Sequence, residues 1–441
     1  MIKFLKKSIV FILIFLIITP FLGRFFLSDK NWILDGFYYE KENSLDVLFF
    51  GSSHMYTGVN PNVIWKNIGV TSYNLGEPEQ QIWTTYSYIK EALKYQNPKA
   101  IFMDIYTVMY DTDEYMPIEN NNINLDTMRM SKNKLEAINT SVKPSERIYF
   151  IFDLLKNKSN WKNINKSNFT TNFTNSSHAN KGYWEWFDVY ENSKSKVDLT
   201  DKIGVLPEKA ELYLNKIIDL CKNRDIPLVF IKTPVAMSNK QQERYNRVAE
   251  IAKENNIDFI NFNSMYDELG IDFKSDFIDE GKHLNFMGAH KVSDYLSNYI
   301  SKNFKITDKR GKDGYSDWEN SSNLWYAKEE DYYLSQEKNI NKFIDKIDKD
   351  YYIVAMTYKG KDDKNYINIV NNRKIIKEKL GNYTFSLNDK IEDTKIDISF
   401  SGGKPSIKFN DNETINRDGN LSIVVYDKRL FKVAASNSYN I

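Results

Sequence analysis

An α/β fold, with a parallel sheet covered by helices on both faces in a three-layer α/β/α sandwich, is the class this sequence predicts. Three observations predict it. Over residues 44–104, and again over 208–304, short apolar runs alternate with segments whose apolar residues recur at helical spacing. The runs are continuous, as in strands buried on both faces. Beyond Tyr351 the texture changes to short strands, which sets off a small β-rich domain over 349–441.

The elements follow in order. "SIVFILIFLIITPFLGRFF", residues 8–26, is almost continuously apolar and about 19 residues long, enough as a helix to cross a bilayer. Lys3, Lys6 and Lys7 precede it, so the positive-inside rule keeps the N-terminus in the cytoplasm and puts the rest outside. No small-x-small cleavage site follows, so an uncleaved transmembrane anchor over 1–27 is expected rather than a signal peptide. The α/β domain, 28–348, opens with strand "LDVLFF", helix "PNVIWKNIG" with its leading proline, and strand "TSYNLG". Helix "QQIWTTYSYIKEALKYQ" carries Ile82, Tyr86, Ile89 and Leu93 along one face, and strand "AIFMDIY" follows. An Asn-, Ser- and Lys-rich insert over about 105–203 is expected to cap the sheet's carboxyl edge, where long insertions shape substrate sites. The pattern resumes with helix "KAELYLNKIIDLCKNRD", strand "IPLVFIKTP", helix "QQERYNRVAEIAKENN", strand "IDFINF" and the amphipathic helix "NFMGAHKVSDYLSNYISKNF". A polar helical segment, "NLWYAKEEDYYLSQEKNINKFIDKI", leads to the strands "YYIVAMTY", "YTFSLN", "KIDISFS", "PSIKFN", "LSIVVYD" and "FKVAAS". One helix, "INIVNNRKIIKEKLG", is expected among them.

Composition narrows the function. The 60 Lys+Arg balance 59 Asp+Glu, and a net charge of +1 lacks the basic excess of a nucleic-acid binder. A single cysteine, Cys221, leaves no intrachain disulfide and no Cys-rich metal site, and reads as a buried thiol on a helix. No other ligand cluster suggests a metal, and no cofactor is expected.

The chemistry concentrates at "VLFFGSSHMYTG", residues 47–58, where an apolar run stops at a glycine, two serines and a histidine. Plain chain reversal would explain it; so would a nucleophile at the carboxyl end of a strand, where ligands of open parallel sheets bind. A serine there exposes its hydroxyl and aims its backbone N–H at the same point, but it needs a positioned base. Of the four histidines, His54 adjoins the serines, His178 lies in the insert and His290 falls inside a helix. His283 stands apart, in "DFIDEGKHLNFMGAHK", a polar loop after the last α/β strand. Asp276, Asp279 and Glu280 precede it by seven, four and three residues, and a carboxylate on the same loop can fix the imidazole's tautomer.

On "FFGSSHMYTGVNPNVIW", "SYNLGEPEQQIWTTYSYIKEAL" and "DEGKHLNFMGAHKVSDYL", taken in that order, residues 40–305 resemble the SGNH/GDSL hydrolase superfamily. Within it they resemble the membrane-anchored branch that acts on surface polysaccharides. The resemblance implies that Ser53 is the nucleophile and that its amide and that of Gly76 form the oxyanion hole. It also implies a D-x-x-H block that supplies acid and base. Here Glu280 stands three residues before His283 and Asp279 four, so either could orient the ring, with Asp279 preferred. The third block, normally G-x-N-D, is replaced by "FMDIYTVMYD", which lacks the asparagine donor. The tail, residues 350–437, resembles the interleukin-like EMT inducer (PANDER-like) β domain, which has been linked to carbohydrate recognition; a structural β module and a sugar-binding one both fit it.

Other expected substrate contacts are His54, Asp104 at a strand end, and Trp184 and Trp186 in "KGYWEWF", where aromatics either stack on sugars or pack a loop down. The expectation is an extracytoplasmic serine esterase or O-acyltransferase for acyl esters, acetyl foremost, of a cell-surface polysaccharide. A membrane-bound O-acyltransferase is the implied partner. The alternative is a catalytically inactive surface protein that keeps the fold as a glycan-binding or assembly module.

Overall fold

The computed structural model of the chain describes residues 2–25, 32–110, 115–152, 155–156, 162, 180–191 and 195–359. Beyond these it describes strand segments 365–371, 374–380, 387–391, 394–401, 404–409, 412–414 and 421–439. His178, expected in a loop of the insert, lies outside the described residues. The chain divides into two compact units, 1–322 and 323–441.

The first unit is built on five parallel strands: β1 (Val47–Phe50), β2 (Ser72–Asn74), β3 (Ala100–Asp104), β4 (Leu228–Lys232) and β5 (Asp258–Asn261). Their spatial order is β2-β1-β3-β4-β5, and every neighbouring pair is parallel. The helices needed here are α1 (Ile2–Phe25), α2 (Ser53–Gly58), α3 (Pro61–Ile68), α4 (Ile82–Ala92), α5 (Ile118–Leu125), α6 (Lys132–Ser141), α7 (Glu208–Lys222), α8 (Asn239–Glu254) and α9 (Phe286–Asn303). Alternate residues of each strand serve opposite faces. Leu48, Phe50, Ile101, Met103 and Phe230 join a core with Ile89 of α4, Ile138 of α6, Leu214 and Cys221 of α7 and Val248 of α8. Val47, Phe49, Phe102, Val229 and Ile231 join another with Ile64 of α3 and Val292 and Leu296 of α9. Continuous apolar runs were required because both faces are covered.

The strand order reverses direction between β1 and β3, each returning crossover leading to opposite edges. This is the switch point at whose carboxyl side open α/β sheets leave a crevice. The insert does not lie wholly over that edge. Its helix α6 flanks the sheet, with Asn133 Nδ2 donating to Ser87 O at 2.8 Å and Glu91 Oε2 at 2.9 Å on α4.

The N-terminal apolar run is one helix of 24 residues, α1. Its described side chains Phe4, Leu5, Ile9, Phe11, Ile14, Phe15 and Ile18 are exposed. Among the described residues, no helix is long and apolar enough to cross a membrane; the side chains at 12, 13, 16, 17 and from 19 onward are outside that set.

The second unit opens with helices α10 (Ser316–Ser335, which crosses the division) and α11 (Ile340–Ile347). Its strands are β6 (Tyr352–Lys359), β7 (Asn365–Asn371), β8 (Lys374–Leu380), β9 (Leu387–Ile391), β10 (Thr394–Ser401), β11 (Lys404–Phe409), β12 (Asn412–Thr414), β13 (Leu421–Asp427) and β14 (Lys432–Tyr439). They form sheets ordered β14-β13-β6-β7-β8 and β12-β11-β10-β9. The unit begins ahead of the strands because Leu334, Phe343 and Ile347 share a core with Tyr352, Val354, Ile423 and Val425. The helix expected over "INIVNNRKIIKEKLG" is instead the antiparallel pair β7–β8, with Asn371 opposite Lys374 and Ile369 opposite Ile376. The Lys- and Glu-rich second half favours helix locally, but strand pairing overrides so weak a preference.

Asp331 of α10 and Asp427 of β13 are both buried; the Arg429 guanidinium clamps Asp427, and the Tyr352 hydroxyl donates to Asp331 at 3.2 Å. Burial, reinforced by the Asp427 charge, lifts the Asp331 carboxyl from 3.8 to about 7. A carboxyl raised in the folded state contributes stability that is full below its unfolded value and is lost as pH climbs through the folded one. The thermal midpoint of the second unit is therefore expected to fall between about pH 4 and pH 7, and Asp331→Asn to flatten that slope in calorimetric scans.

Candidate active site

The nucleophile turn follows from three consecutive residues at the end of β1. Gly51 takes φ +150°, and a Cβ there would stand 2.6 Å from Asp104 Cβ, so only glycine lets the chain turn against β3. Gly51→Ala is accordingly expected to cost roughly 1–3 kcal/mol of stability, read by thermal denaturation, and to disturb the serines with it. Ser52 is buried; its hydroxyl donates to Asp104 Oδ2 at 3.1 Å and accepts from the His54 amide at 3.4 Å, capping α2. Ser53, half-buried, opens α2. Its amide has no acceptor among the described residues, and its Oγ lies 2.9 Å from His283 Nε2 across 230 positions of sequence.

His283 is presented by a closed loop. Phe277 and Leu284 pair as an antiparallel bridge, and the Ile278 amide donates to His283 O at 3.1 Å. Asn285 then caps α9, accepting from the Met287 and Gly288 amides at 3.0 and 3.2 Å. Asp276, buried, takes Lys291 Nζ at 2.7 Å and ties the loop's base to α9. Asp279 Oδ2 lies 2.6 Å from His283 Nδ1, while its Oδ1 accepts from the amides of His283 at 2.9 Å and Lys282 at 2.7 Å. Partial burial would raise this carboxyl, but the bonds from the His283 ring and the two amides outweigh it and hold it below its ordinary value. An ionised Asp279 can only accept, so Nδ1 carries the ring proton and Nε2 faces Ser53 with its lone pair. Glu280 is exposed, and among the described residues its carbonyl alone is engaged, by Ser195 Oγ at 2.9 Å; with Nδ1 already taken by Asp279, it does not orient the ring.

Other expected site residues fall elsewhere. The Gly76 amide donates to Asn74 Oδ1 at 3.0 Å, and its α-carbon backs onto Ser52, where a Cβ would meet Ser52 O at 2.9 Å. It is thus committed inside the chain rather than open to an oxyanion, and the Ser53 amide is the donor that remains available. His54 is 3 % exposed, its ring packed against Tyr106 and His283, so it is not a substrate contact. Asp104 is 1 % exposed and serves the Ser52 hydroxyl, so it is not one either.

Residues 183–190 form a strap over the site. Trp184 N donates to Tyr56 O on α2 at 2.9 Å, while Phe286 N donates to Trp186 O and Tyr190 N to Phe277 O, each at 2.9 Å. The strap thereby joins the serine helix to the histidine loop. Trp184 is 46 % exposed and 6.1 Å from the Tyr56 ring; Trp186 is half-buried, and its indole N–H has no acceptor among the described residues.

Sequence reasoning missed Asn74, Tyr106 and Lys232. Asn74 Nδ2 donates to Met55 O at 2.8 Å and Val59 O at 3.0 Å, fastening α2 to β2. Lys232 is wholly buried, and its signal was there to be read: a lysine at the end of an otherwise apolar strand.

No family model matches the chain, and no curated protein matches it. Solved structures do resemble it. A protein of the G-D-S-L lipolytic family from Desulfitobacterium hafniense has a TM-score of 0.32 at 11% identity, over 58% of this chain and 99% of that one. A GDSL-like lipase from Bacteroides thetaiotaomicron has 0.28 at 12%, over 59% and 89%. A lipase/acylhydrolase from Enterococcus faecalis has 0.29 at 9%, over 59% and 97%. At such values the likeness is silent about chemistry, which has to come from the geometry of this chain.

Proposed function

We propose that this chain is an extracytoplasmic serine esterase or O-acyltransferase for acyl esters, acetyl foremost, of a cell-surface polysaccharide. The observation that carries the reading is the unbroken relay Ser53 Oγ–His283–Asp279, at 2.9 and 2.6 Å. Those are the contacts a serine nucleophile needs to lose its proton and regain it.

Ser53 Oγ attacks the acyl carbonyl as its proton passes to His283 Nε2, and Asp279 stabilises the imidazolium. The tetrahedral oxyanion is held by the Ser53 amide. His283 returns the proton to the departing sugar oxygen, leaving an acyl ester on Ser53. Water, or a hydroxyl of a second sugar, gives its proton to His283 and takes the acyl group, and His283 hands that proton back to Ser53 Oγ as its acyl bond breaks, closing an esterase or a transferase cycle respectively.

The glycan assignment is supported by the exposed indole face of Trp184, 6.1 Å from the Tyr56 ring on the nucleophile helix. Membrane anchoring is supported by the uncovered apolar side chains of α1 behind Lys3, Lys6 and Lys7. An anchored enzyme facing outward suits work beside a membrane-bound O-acyltransferase. The second unit, with its PANDER-like strands, is then the sugar-holding module.

A serine-directed fluorophosphonate tests the chemistry: folded wild-type protein is expected to label, and Ser52→Ala to label as well. Acetylated polysaccharide then separates the cycles, since free acetate marks the esterase and acetyl moved to an unmodified oligosaccharide marks the transferase. One observation favours the second reading, a non-catalytic glycan-binding module: the Gly76 amide is already occupied by Asn74. Unlabelled, correctly folded wild type that still binds the glycan would establish that reading instead.

A further inference from the structure

We infer that His54 is a positioning residue for the base: a ring that stacks on His283 and holds its plane towards Ser53. The inference rests on the reading of Ser53, His283 and Asp279 as an acyl-transfer relay. The His54 ring packs on Tyr106, centroids 3.5 Å apart at 31°, and stacks on His283, 4.9 Å apart at 23°. The imidazole nitrogens of His54 take no hydrogen bond among the described residues, so what the ring offers its neighbours is its two faces.

The charges around this stack come from every element packed on it. Asp279 approaches from the loop, Asp104 from β3, and Lys232 from β4 with its ammonium 5.1 Å from the Tyr106 ring and bonded to Thr233 O at 2.7 Å. Burial first, then the Lys232 and His283 charges, drive His54 well below the ordinary histidine value, so it stays neutral. Burial likewise brings Lys232 down to about 8, and the nearby Asp104 charge opposes that fall. The ring beside His283 is therefore a neutral face and not a like charge. The stack also blocks rotation of the ring away from Ser53, and misplacement of a base by an ångström is costly. Tyr106, backing His54, completes the wall.

The test compares wild type with His54→Phe, which keeps a neutral face, and with His54→Leu and His54→Ala, which do not. In proton NMR the Nδ1–H of His283, held by Asp279, should give a downfield resonance in wild type and His54→Phe and be lost to exchange in the other two. With p-nitrophenyl acetate, His54→Leu and His54→Ala should lose about tenfold in kcat at unchanged KM, and His54→Phe should return to within about twofold of wild type. Wild-type kcat and an intact resonance in His54→Leu would overturn the inference, as would a His54→Phe enzyme no better than His54→Leu. A wild type that shows the resonance but neither hydrolyses nor labels sinks the acyl-transfer reading instead, and the NMR comparison still decides whether the stack holds the ring.

Discussion

Ser53→Ala is expected to lower kcat for p-nitrophenyl acetate by about 10⁴-fold or more, with a far-ultraviolet spectrum and unfolding midpoint close to wild type. The size follows from what the hydroxyl does: it forms the covalent bond, and removing it leaves only the Ser53 amide and binding to act on the ester. The change should be mild for folding because Ser53 is half-buried and its Oγ bonds, among the described residues, to His283 alone. Ser52→Ala is the opposite case. Ser52 Oγ caps α2 and donates to the buried Asp104, so its loss should cost about 1–3 kcal/mol while kcat stays within a few-fold. Stopped assays and melting curves on the two variants give crossed outcomes. If Ser52→Ala abolishes turnover and Ser53→Ala does not, the nucleophile has been assigned to the wrong serine.

Much of this architecture was legible because its signals are local. "LDVLFF", "AIFMDIY" and "IPLVFIKTP" read as buried strands since both faces of β1, β3 and β4 are covered, and each holds an unbroken apolar run, "VLFF", "AIFM" and "LVFI". The positions of Ser53 and His283 followed from loops at strand ends, which topology gathers on one edge. What was not legible depends on directions of side chains and amides. His54 adjoins the serine in sequence, yet the pitch of α2 turns it inward onto Tyr106, and nothing in the pattern specifies that. The commitment of the Gly76 amide depends on the rotamer of Asn74 two residues earlier. The β7–β8 hairpin was hidden because its residues have helix-favouring side chains, while the partners that decide the matter are β6 and each other. Whether Asp279 or Glu280 faced the ring depended on the loop's course, where Gly281 at φ +80° turns the chain so that residues four apart meet.

Asp279→Asn is expected to reduce kcat about 10⁴-fold, nearly as much as removal of the nucleophile, whereas Glu280→Gln should leave kcat within about twofold. The asparagine would keep the shape, but its amide can present N–H to the ring. Nδ1 would then serve as acceptor, Nε2 would carry the proton, and Ser53 would face a donor where it needs an acceptor. The same carboxylate gives a sign to the pH dependence. Its bonds hold it below the ordinary 3.8, so the stability it contributes is full above that value and is lost only as pH falls through its lower folded value. The difference in unfolding midpoint between wild type and Asp279→Asn should therefore be constant from about pH 5 to pH 8 and shrink in stronger acid. A larger loss of turnover in Glu280→Gln than in Asp279→Asn would mean that the working loop differs from the one in which Oδ2 and Nδ1 stand 2.6 Å apart. The relay would then have to be rebuilt around an acid that faces solvent, where a carboxylate holds an imidazole poorly against competing water.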